Sequence, residues 1–276
     1  MMRIVGSKYI TSAVNPKSYP DTPWKDFAFV GRSNVGKYSM INTITNRKLL
    51  AKIANKPGKT RLINFFEIVY KTEKHSCNMI SIEKSQESSS IVINENYKDT
   101  HDEATEETTG CFGLIDLPGY GYAKVSKTER DLWQKMINSF FQYRKQLAGA
   151  VVLVDIRHDP DPKDIMMIKM LVDLKVNYMI AATKCDKIPK NKIRGQLKKY
   201  VNELKDTTSK NSSSESEIGS FICEFSSLKK IGIDNILNWI EKSIFIDNNA
   251  LSTVDGNGQY QTSGRIIIHD KELNNA

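Results

Sequence analysis

The sequence has 276 residues, of which 39% are hydrophobic and 26% charged, as is typical of a globular protein with a sizeable core. No apolar run approaches the roughly 20 residues that cross a bilayer, and four widely spaced cysteines argue against a disulfide framework or a cysteine-based zinc site. The formal net charge is +8, but residues 72–110 carry −6, so the remaining +14 suits either a polyanionic partner such as nucleic acid or a solvated lysine-rich surface.

Residues 1–25 precede the first clear strand pattern, and we expect them to form an N-terminal extension packed on the following domain. They contain no acid before Asp21 and no apolar core of a signal peptide. This favours a cytoplasmic location, with an organelle matrix as the alternative.

Residues 26–246 alternate short apolar runs with amphipathic stretches, which predicts one doubly wound α/β domain. We expect strands at Asp26–Val30, Leu62–Val69, Cys111–Asp116, Ala150–Asp155, Tyr178–Thr183 and Phe221–Phe225. Helices are expected to begin at Lys37, near Ser126, and at Pro162, Pro189 and Gly232.

Two polar segments interrupt this pattern. Residues 72–110 are acidic and of low complexity, and they separate two strands that a tight turn could join. Residues 206–219 are serine-rich, and residues 247–276 form a polar C-terminal tail. We interpret the first two as insertions, because long loops add little closure entropy to a compact domain.

The first strand leads into a phosphate-binding motif, Gly31–Tyr38 (GRSNVGKY). Glycines at this spacing let backbone N–H groups surround the α- and β-phosphates, while Lys37 reaches the β- and γ-phosphates. A strand before the motif and a helix after it are the context that it requires. The nucleotide-binding residues expected here are Gly31, Arg32, Ser33, Asn34, Val35, Gly36, Lys37 and Ser39.

Tyr38 stands where this motif normally ends in Ser or Thr, whose short hydroxyl binds Mg²⁺. A phenol extends too far from its Cα to ligate the same ion from the same backbone position. Ser39 follows directly, but one residue turns a helix by about 100°, so it is not a simple replacement. Tyr38 is therefore a doubtful magnesium ligand.

Two further segments are expected to complete the phosphate and metal sites. Thr60 ends the string Lys56–Thr60 (KPGKT) and is the candidate loop threonine that closes on Mg²⁺ and the γ-phosphate. Asp116 would hold Mg²⁺ through water, and the N–H of Gly119 would sense the γ-phosphate. We expect Lys37, Thr60 and Gly119 to act in catalysis, and Thr60 and Asp116 to bind the metal.

The string Thr183–Asp186 (TKCD) ends another strand and indicates which base is bound. Guanine presents N1–H and N2–H₂ side by side, and one carboxylate, that of Asp186, can accept both, whereas adenine offers no such pair. Asp186 thus disfavours an ATP-dependent kinase. Backbone N–H groups of residues 226–228 are placed to reach guanine O6. The nucleotide-binding residues expected in this half are Asp116, Gly119, Thr183, Lys184, Asp186, Ser226, Ser227 and Leu228.

At these residues the chain resembles the EngB (YsxC) family of ribosome-assembly GTPases, within the TrmE-Era-EngA-EngB-septin-like superfamily. The most family-specific strings are Ile63–Phe66 (INFF) and Asp116–Val125 (DLPGYGYAKV), and the likeness covers almost all of the chain outside the inserts. It implies a three-layer P-loop G domain whose mostly parallel six-stranded sheet has one antiparallel strand and helices on both faces.

The resemblance also implies the ligands and partners. GTP or GDP with Mg²⁺ would occupy the site, and rRNA or a pre-ribosomal particle would be the partner in large-subunit maturation. The protein is then expected to be a monomer with no membrane association. Asn34 matches a P-loop asparagine that helps to hold K⁺ in some relatives.

Tyr120 occupies the place where Ras-like proteins carry the glutamine that orients water, so intrinsic hydrolysis should be slow. Alternatively, Tyr120 is an exposed aromatic contact for RNA or protein. Tyr38 and the two inserts depart from the family pattern. Two hypotheses therefore stay open: a switch that hydrolyses GTP slowly, and a scaffold that binds guanine nucleotide without hydrolysis because Tyr38 replaces a metal ligand.

Overall fold

The computed structural model describes residues 1–47, 62–73, 107–120, 126–208 and 221–249. Within these ranges seven strands form one sheet in the order β1-β3-β4-β2-β5-β6-β7. The strands are β1 Arg3–Ala13, β2 Asp26–Gly31, β3 Ile63–Glu73, β4 Glu107–Asp116, β5 Leu147–Asp155, β6 Tyr178–Thr183 and β7 Phe221–Phe225. The α-helices are α1 Lys37–Ile44, α2 Lys127–Tyr143, α3 Pro162–Asp173, α4 Lys190–Thr208 and α5 Ile233–Asn249.

The sheet is parallel except at β3, which pairs antiparallel with both β1 and β4. All other neighbouring strands are parallel. The predicted α/β class with one antiparallel strand is therefore confirmed. The predicted number of six strands is wrong, because Arg3–Ala13 adds β1 to the sheet edge and pairs along most of β3.

Helices cover both faces, because the central strands are apolar on both sides. In β2, Ala28 and Val30 belong to the buried cluster that α2, α3 and α4 cover, while Phe27 and Phe29 belong to the cluster beneath α1 and α5. No helix within the described ranges is both long and apolar enough to span a membrane.

The hairpin of β3 and β4 extends further into the acidic segment than expected. Glu73 lies opposite Glu107, and Thr72 is buried and donates a hydrogen bond to Glu241 of α5. Ladder hydrogen bonds use only the backbone, so polar side chains do not stop the pairing. The ends of the predicted insert thus belong to β3 and β4. The remaining residues, 74–106, lie outside the described residues.

Two other predicted boundaries also shift. Helix α4 continues to Thr208 and α5 to Asn249, past the expected starts of the serine-rich segment and of the tail. What remains of these segments, residues 209–220 and 250–276, lies outside the described residues.

The parallel strands place the predicted motifs together. Strands β2, β4, β5, β6 and β7 all end at the same edge of the sheet, and the predicted phosphate and guanine motifs follow these ends. In open α/β sheets this edge is where ligands bind.

Candidate functional site

The loop between β2 and α1 forms a backbone cradle. A Cβ on Gly31 would lie 2.8 Å from the carbonyl oxygen of Leu153, so only glycine allows β2 to approach β5 this closely. Gly36 has a φ of +109° and caps α1, a conformation that side-chain-bearing residues rarely adopt. The N-terminus of α1 therefore follows the loop directly, as an anion site requires.

A cavity of about 560 Å³ opens over this loop, a size typical of small-molecule sites. Its described lining comes from the loop, from β3, and from the ends of β4 and β6, and Asp116 is the only carboxylate within it. The lining consists of Arg32, Ser33, Asn34, Gly36, Lys37, Tyr38, Ser39, Leu62, Asn64, Asp116, Pro118, Gly119 and Lys184.

Lys37 and Asp116 form a buried ion pair in this cavity. Lys37 Nζ lies 2.9 Å from Asp116 Oδ1, while the Asn64 amide donates to Asp116 Oδ2 at 3.2 Å. Ser12 of β1 in turn donates to Asn64 Oδ1 at 2.6 Å. A phosphate that enters the cavity must compete with this carboxylate for Lys37.

Asn64 and Ser12 were missed from the sequence. The INFF string served only as a family signature, although Asn64 lies directly opposite Asp116 in the hairpin. Pairing the two predicted strands would have placed Asn64 beside the carboxylate. Ser12 could not have been found in this way, because β1 was not predicted.

The donors expected for Mg²⁺ are only partly suitable. Asp116 offers a carboxylate in the cavity, which suits a hard divalent cation. Tyr38 is 46% exposed and its ring centre lies 5.9 Å from Lys37 Nζ, so the position directly after Lys37 presents a phenol instead of a short hydroxyl. Ser39 is exposed and lines the same cavity. Thr60 lies outside the described residues.

The segment after β4 packs against the phosphate loop. The Ser33 N–H donates to the Tyr120 carbonyl at 2.9 Å, and the Tyr120 N–H donates to the Gly31 carbonyl at 3.3 Å. A Cβ on Gly119 would lie only 3.1 Å from Ser33 N, so glycine permits the close approach. Gly119 thus lies beside the loop that is predicted to bind phosphates.

Tyr120 is buried, so its interpretation as an exposed aromatic contact is wrong. It is 6% exposed, its hydroxyl donates to Asp164 Oδ1 at 2.7 Å, and its ring packs edge-on against Trp133 at 5.9 Å. Trp133 belongs to α2 and Asp164 to α3. Burial raises the pKa of Tyr120 well above its ordinary value, so the hydroxyl stays protonated.

The Arg32 side chain contacts the N-terminus of α3. Its Nη1 donates to Asp161 Oδ2 at 2.6 Å, and its Nε lies 3.2 Å from Asp164 Oδ2. The guanidinium is therefore engaged by two carboxylates, although Arg32 lines the cavity. The sequence motif predicts Arg32 at the nucleotide and gives no sign of these two carboxylates.

The guanine motif is tied to the phosphate loop. Lys184 Nζ donates to the Asn34 carbonyl at 2.8 Å, and Thr183 Oγ1 donates to the Val35 carbonyl at 2.7 Å. Lys184 adopts a left-handed backbone conformation with a φ of 64°. These contacts join the end of β6 to the cradle.

Asp155, at the end of β5, supports this junction and was not among the predicted site residues. Its Oδ2 accepts from Lys184 Nζ at 2.8 Å, and Arg157 donates to both of its oxygens. Burial opposes ionisation, yet hydrogen bonds from Arg157 and Lys184 hold the pKa of this carboxyl well below its usual range. An acid at the carboxyl end of a parallel strand was the available signal.

Asp186 is oriented by Ser226. Ser226 Oγ donates to Asp186 Oδ1 at 2.6 Å, and this hydrogen bond is the main cause that lowers the pKa of Asp186. The Ser226 N–H donates to the Ile231 carbonyl at 3.1 Å. The expectation that this N–H reaches guanine is therefore wrong for Ser226. Leu228 is 71% exposed.

Comparisons with known proteins find relatives over most of the chain. Residues 26–184 match the family described as "50S ribosome-binding GTPase". The "Probable GTP-binding protein EngB" of Clostridium kluyveri is 39% identical over 243 residues, which cover 88% of this chain and 98% of that protein. The protein of the same name from Alkaliphilus oremlandii is 36% identical over 94% of this chain and 100% of that protein.

A solved structure gives the same fold. The crystal structure of a "probable GTP-binding protein engB" superposes with a TM-score of 0.50 at 20% identity, covering 79% of this chain and 98% of that one.

Proposed function

The chain belongs to the EngB family of P-loop GTPases, and on this premise we propose that it is a guanine-nucleotide switch that assists assembly of the large ribosomal subunit. One observation carries the proposal. A phosphate cradle, the buried Lys37–Asp116 pair and the oriented carboxylate of Asp186 meet at one edge of the sheet.

Each of these groups has a role in binding GTP or GDP. Backbone N–H groups of the loop bind phosphate oxygens at the N-terminus of α1, apart from those of Ser33 and Val35, which donate to the Tyr120 and Arg32 carbonyls. Lys37 exchanges its contact with Asp116 for the β- and γ-phosphates. Asp186, oriented by Ser226, accepts hydrogen bonds from both N–H donors of guanine.

We propose Asp116 and Thr60 as the residues that hold Mg²⁺, with Asn64 fixing the orientation of the Asp116 carboxylate. When bound, the ion neutralises charge on the phosphate oxygens. We also propose that Asn34 helps to hold a K⁺ ion.

Hydrolysis is expected to be slow without a partner. The hydroxyl of Tyr120 is bound to Asp164, so the residue after Gly119 does not orient an attacking water. We expect an intrinsic rate at or below roughly 10⁻⁴ s⁻¹, as for other unassisted switch GTPases. The ribosomal partner or a monovalent cation would then accelerate the reaction.

The partner is inferred from the family and from charge. The matched family is described as ribosome-binding, and the chain outside residues 72–110 carries +14, which suits rRNA. We propose that a cytoplasmic monomer, in its GTP-bound form, binds an assembling large subunit and that hydrolysis releases it.

Nucleotide binding and ribosome binding need separate tests. Competition against a fluorescent GDP derivative should show displacement by GDP and GTP and none by ADP. Cosedimentation with large-subunit precursors should be stronger with a non-hydrolysable GTP analogue than with GDP. Displacement by ADP would refute guanine specificity, and equal sedimentation in both nucleotides would refute the switch.

Tyr38 favours a second function, a scaffold that binds guanine nucleotide without hydrolysing it. The phenol lines the cavity at the position of the expected magnesium hydroxyl. Single-turnover hydrolysis separates the two functions, because a scaffold leaves bound GTP intact.

A further inference from the structure

Asp164, in the first turn of α3, is a buried carboxylate with two partners from the nucleotide site. The residue is 0% exposed. Its Oδ1 accepts from the Tyr120 hydroxyl at 2.7 Å, and its Oδ2 lies 3.2 Å from Arg32 Nε. One side chain thus contacts the phosphate loop and the residue that follows Gly119.

Packing alone does not explain an acid at this position. Ile165 and Ile168 of the same helix are buried among apolar side chains, and an apolar residue would also fill a fully enclosed site. Removing a carboxylate from water is costly, and burial raises the pKa of Asp164 to about 6 in spite of both partners. We therefore explain the carboxylate by its contacts, which orient Tyr120 and Arg32.

The two partners border the position expected for the γ-phosphate. Arg32 precedes Ser33, and Tyr120 follows Gly119, while Ser33 and Tyr120 share a backbone hydrogen bond of 2.9 Å. A Cβ on Gly119 would lie only 3.1 Å from Ser33 N, so the two segments approach closely. Contact of Arg32 and Tyr120 with one carboxylate adds a side-chain link to the backbone hydrogen bonds that join the phosphate loop to the segment of Gly119.

We propose that Asp164 is a positioning residue for recognition of the γ-phosphate. It holds Tyr120 and Arg32 so that the Gly119 N–H and the phosphate loop face the same phosphate oxygen. GDP lacks this phosphate, so its binding does not depend on this arrangement. The proposal rests on the proposed function, because it assumes that Gly119 senses the γ-phosphate.

The test compares nucleotide affinities of the full chain carrying Asp164→Asn, Tyr120→Phe or both. Dissociation constants for GDP and for a non-hydrolysable GTP analogue are measured by displacement of fluorescent GDP. We expect each substitution to weaken analogue binding about five- to tenfold and GDP binding less than about twofold. The double variant should resemble the more affected single variant, because both changes break one hydrogen-bonded unit.

Two matched controls separate positioning from general stability. Tyr200→Phe removes another buried hydroxyl near Asp164, one without a hydrogen-bond partner among the described residues, and should leave the GTP-to-GDP ratio unchanged. Asp26→Asn removes an equally buried carboxylate, 2.5 Å from Arg144 Nε, at the start of β2. It should lower the melting temperature and preserve the ratio.

The outcomes distinguish the two proposals. The positioning role is overturned if the substitutions weaken binding of GDP and of the GTP analogue equally. It is also overturned if Tyr120→Phe leaves the ratio of the two affinities unchanged. Tyr120→Phe keeps the ring on Trp133 and decides the matter even if Asp164→Asn fails to fold. If the unmodified protein does not prefer GDP to ADP, the proposed function fails first.

Discussion

At the scale of single residues, three carboxylates near the site differ in what controls their ionisation. A hydrogen bond from Ser226 lowers the pKa of Asp186, and hydrogen bonds from Arg157 and Lys184 lower that of Asp155 against the effect of burial. Burial raises the pKa of Asp164 to about 6. The proposed role of Asp186, which is to accept hydrogen bonds from guanine, requires the charged form, and the hydrogen bond from Ser226 favours that form.

Asp186→Asn should change the base preference of the protein. In the proposed function the carboxylate accepts two charge-assisted hydrogen bonds from guanine, each worth about 1.5–3 kcal/mol before desolvation. Asparagine instead offers a donor to the carbonyl that xanthine carries in place of the guanine amine. Competition binding should show weaker GDP and stronger XDP binding by the variant. Equal GDP affinity in both proteins would contradict the assignment.

Tyr38→Ser should restore a metal-dependent gain in affinity. With tyrosine directly after Lys37, α1 lacks the short hydroxyl that binds Mg²⁺ from this position in P-loop GTPases, so GDP affinity should depend little on Mg²⁺. The measurement is GDP affinity with Mg²⁺ or EDTA, and Ser39→Ala is the control. A large magnesium effect in the unmodified protein that Ser39→Ala abolishes would show that Ser39 is the ligand.

Asp164 should also give stability a pH dependence. Its pKa rises from 3.8 to about 6 on folding, so its contribution to stability is full below about pH 4 and is lost as the pH rises through 6. Asp164→Asn lacks this titration, while Arg32, Asp161, Tyr120 and Tyr200 around it are unchanged. Between pH 4 and 7 the variant should gain up to about 3 kcal/mol relative to the unmodified protein. Denaturant unfolding at several pH values measures this, and parallel curves would contradict it.

At the scale of secondary-structure elements, the sequence predicts what hydrophobic periodicity controls. Tyr178–Thr183 and Phe221–Phe225 begin and end as predicted, because their apolar runs are bounded by polar segments. Strand β1 (RIVGSKYITSA) alternates too weakly to stand out, because it lies at the sheet edge with several half-exposed side chains. The outer ends of β3 and β4 were not predicted for the same reason, because they too carry exposed and half-exposed side chains.

Site residues divide in the same way. Lys37, Asp116 and Asp186 belong to local motifs, so their spacing along the chain predicts them as site residues. Asp164 is a single acid within an amphipathic helix, and its meaning depends on Tyr120, 44 residues earlier in the chain. Contacts of this kind arise from topology, which periodicity does not specify.

The N-terminus of α2 gives a prediction at this scale. Ser126 and Glu129 form a capping box, in which each side chain accepts from the backbone N–H of the other residue. The helix also carries Trp133, whose Nε1 donates to the Pro118 carbonyl at 3.1 Å. Ser126→Ala should cost about 1 kcal/mol, or about 2–4 °C in melting temperature. Thr128→Ala, an exposed change in the same turn, is the control, and an equal loss there would refute the cap.

At the scale of the whole molecule, the fold and the acidic insert should be separable. Glu73 and Glu107 face each other across the β3–β4 hairpin, so a short turn can replace residues 74–106 without disturbing the register. Ile80, Ile82 and Ile91–Ile93 are the main apolar residues removed. A variant lacking 74–106 should keep the melting temperature and GDP affinity, and failure to fold would show that the insert packs on the core.

The same deletion should strengthen binding to RNA. Residues 74–106 hold seven carboxylates and three lysines, so their removal raises the formal net charge from +8 to +12. Affinity for a large-subunit rRNA fragment should rise about three- to tenfold at low salt, and the gain should shrink as salt screens the charges. Replacing the seven acids by their amides gives +15 at full length and should raise affinity further. If the deletion strengthens binding but the amide variant does not, the insert obstructs RNA by its bulk instead of repelling it by charge.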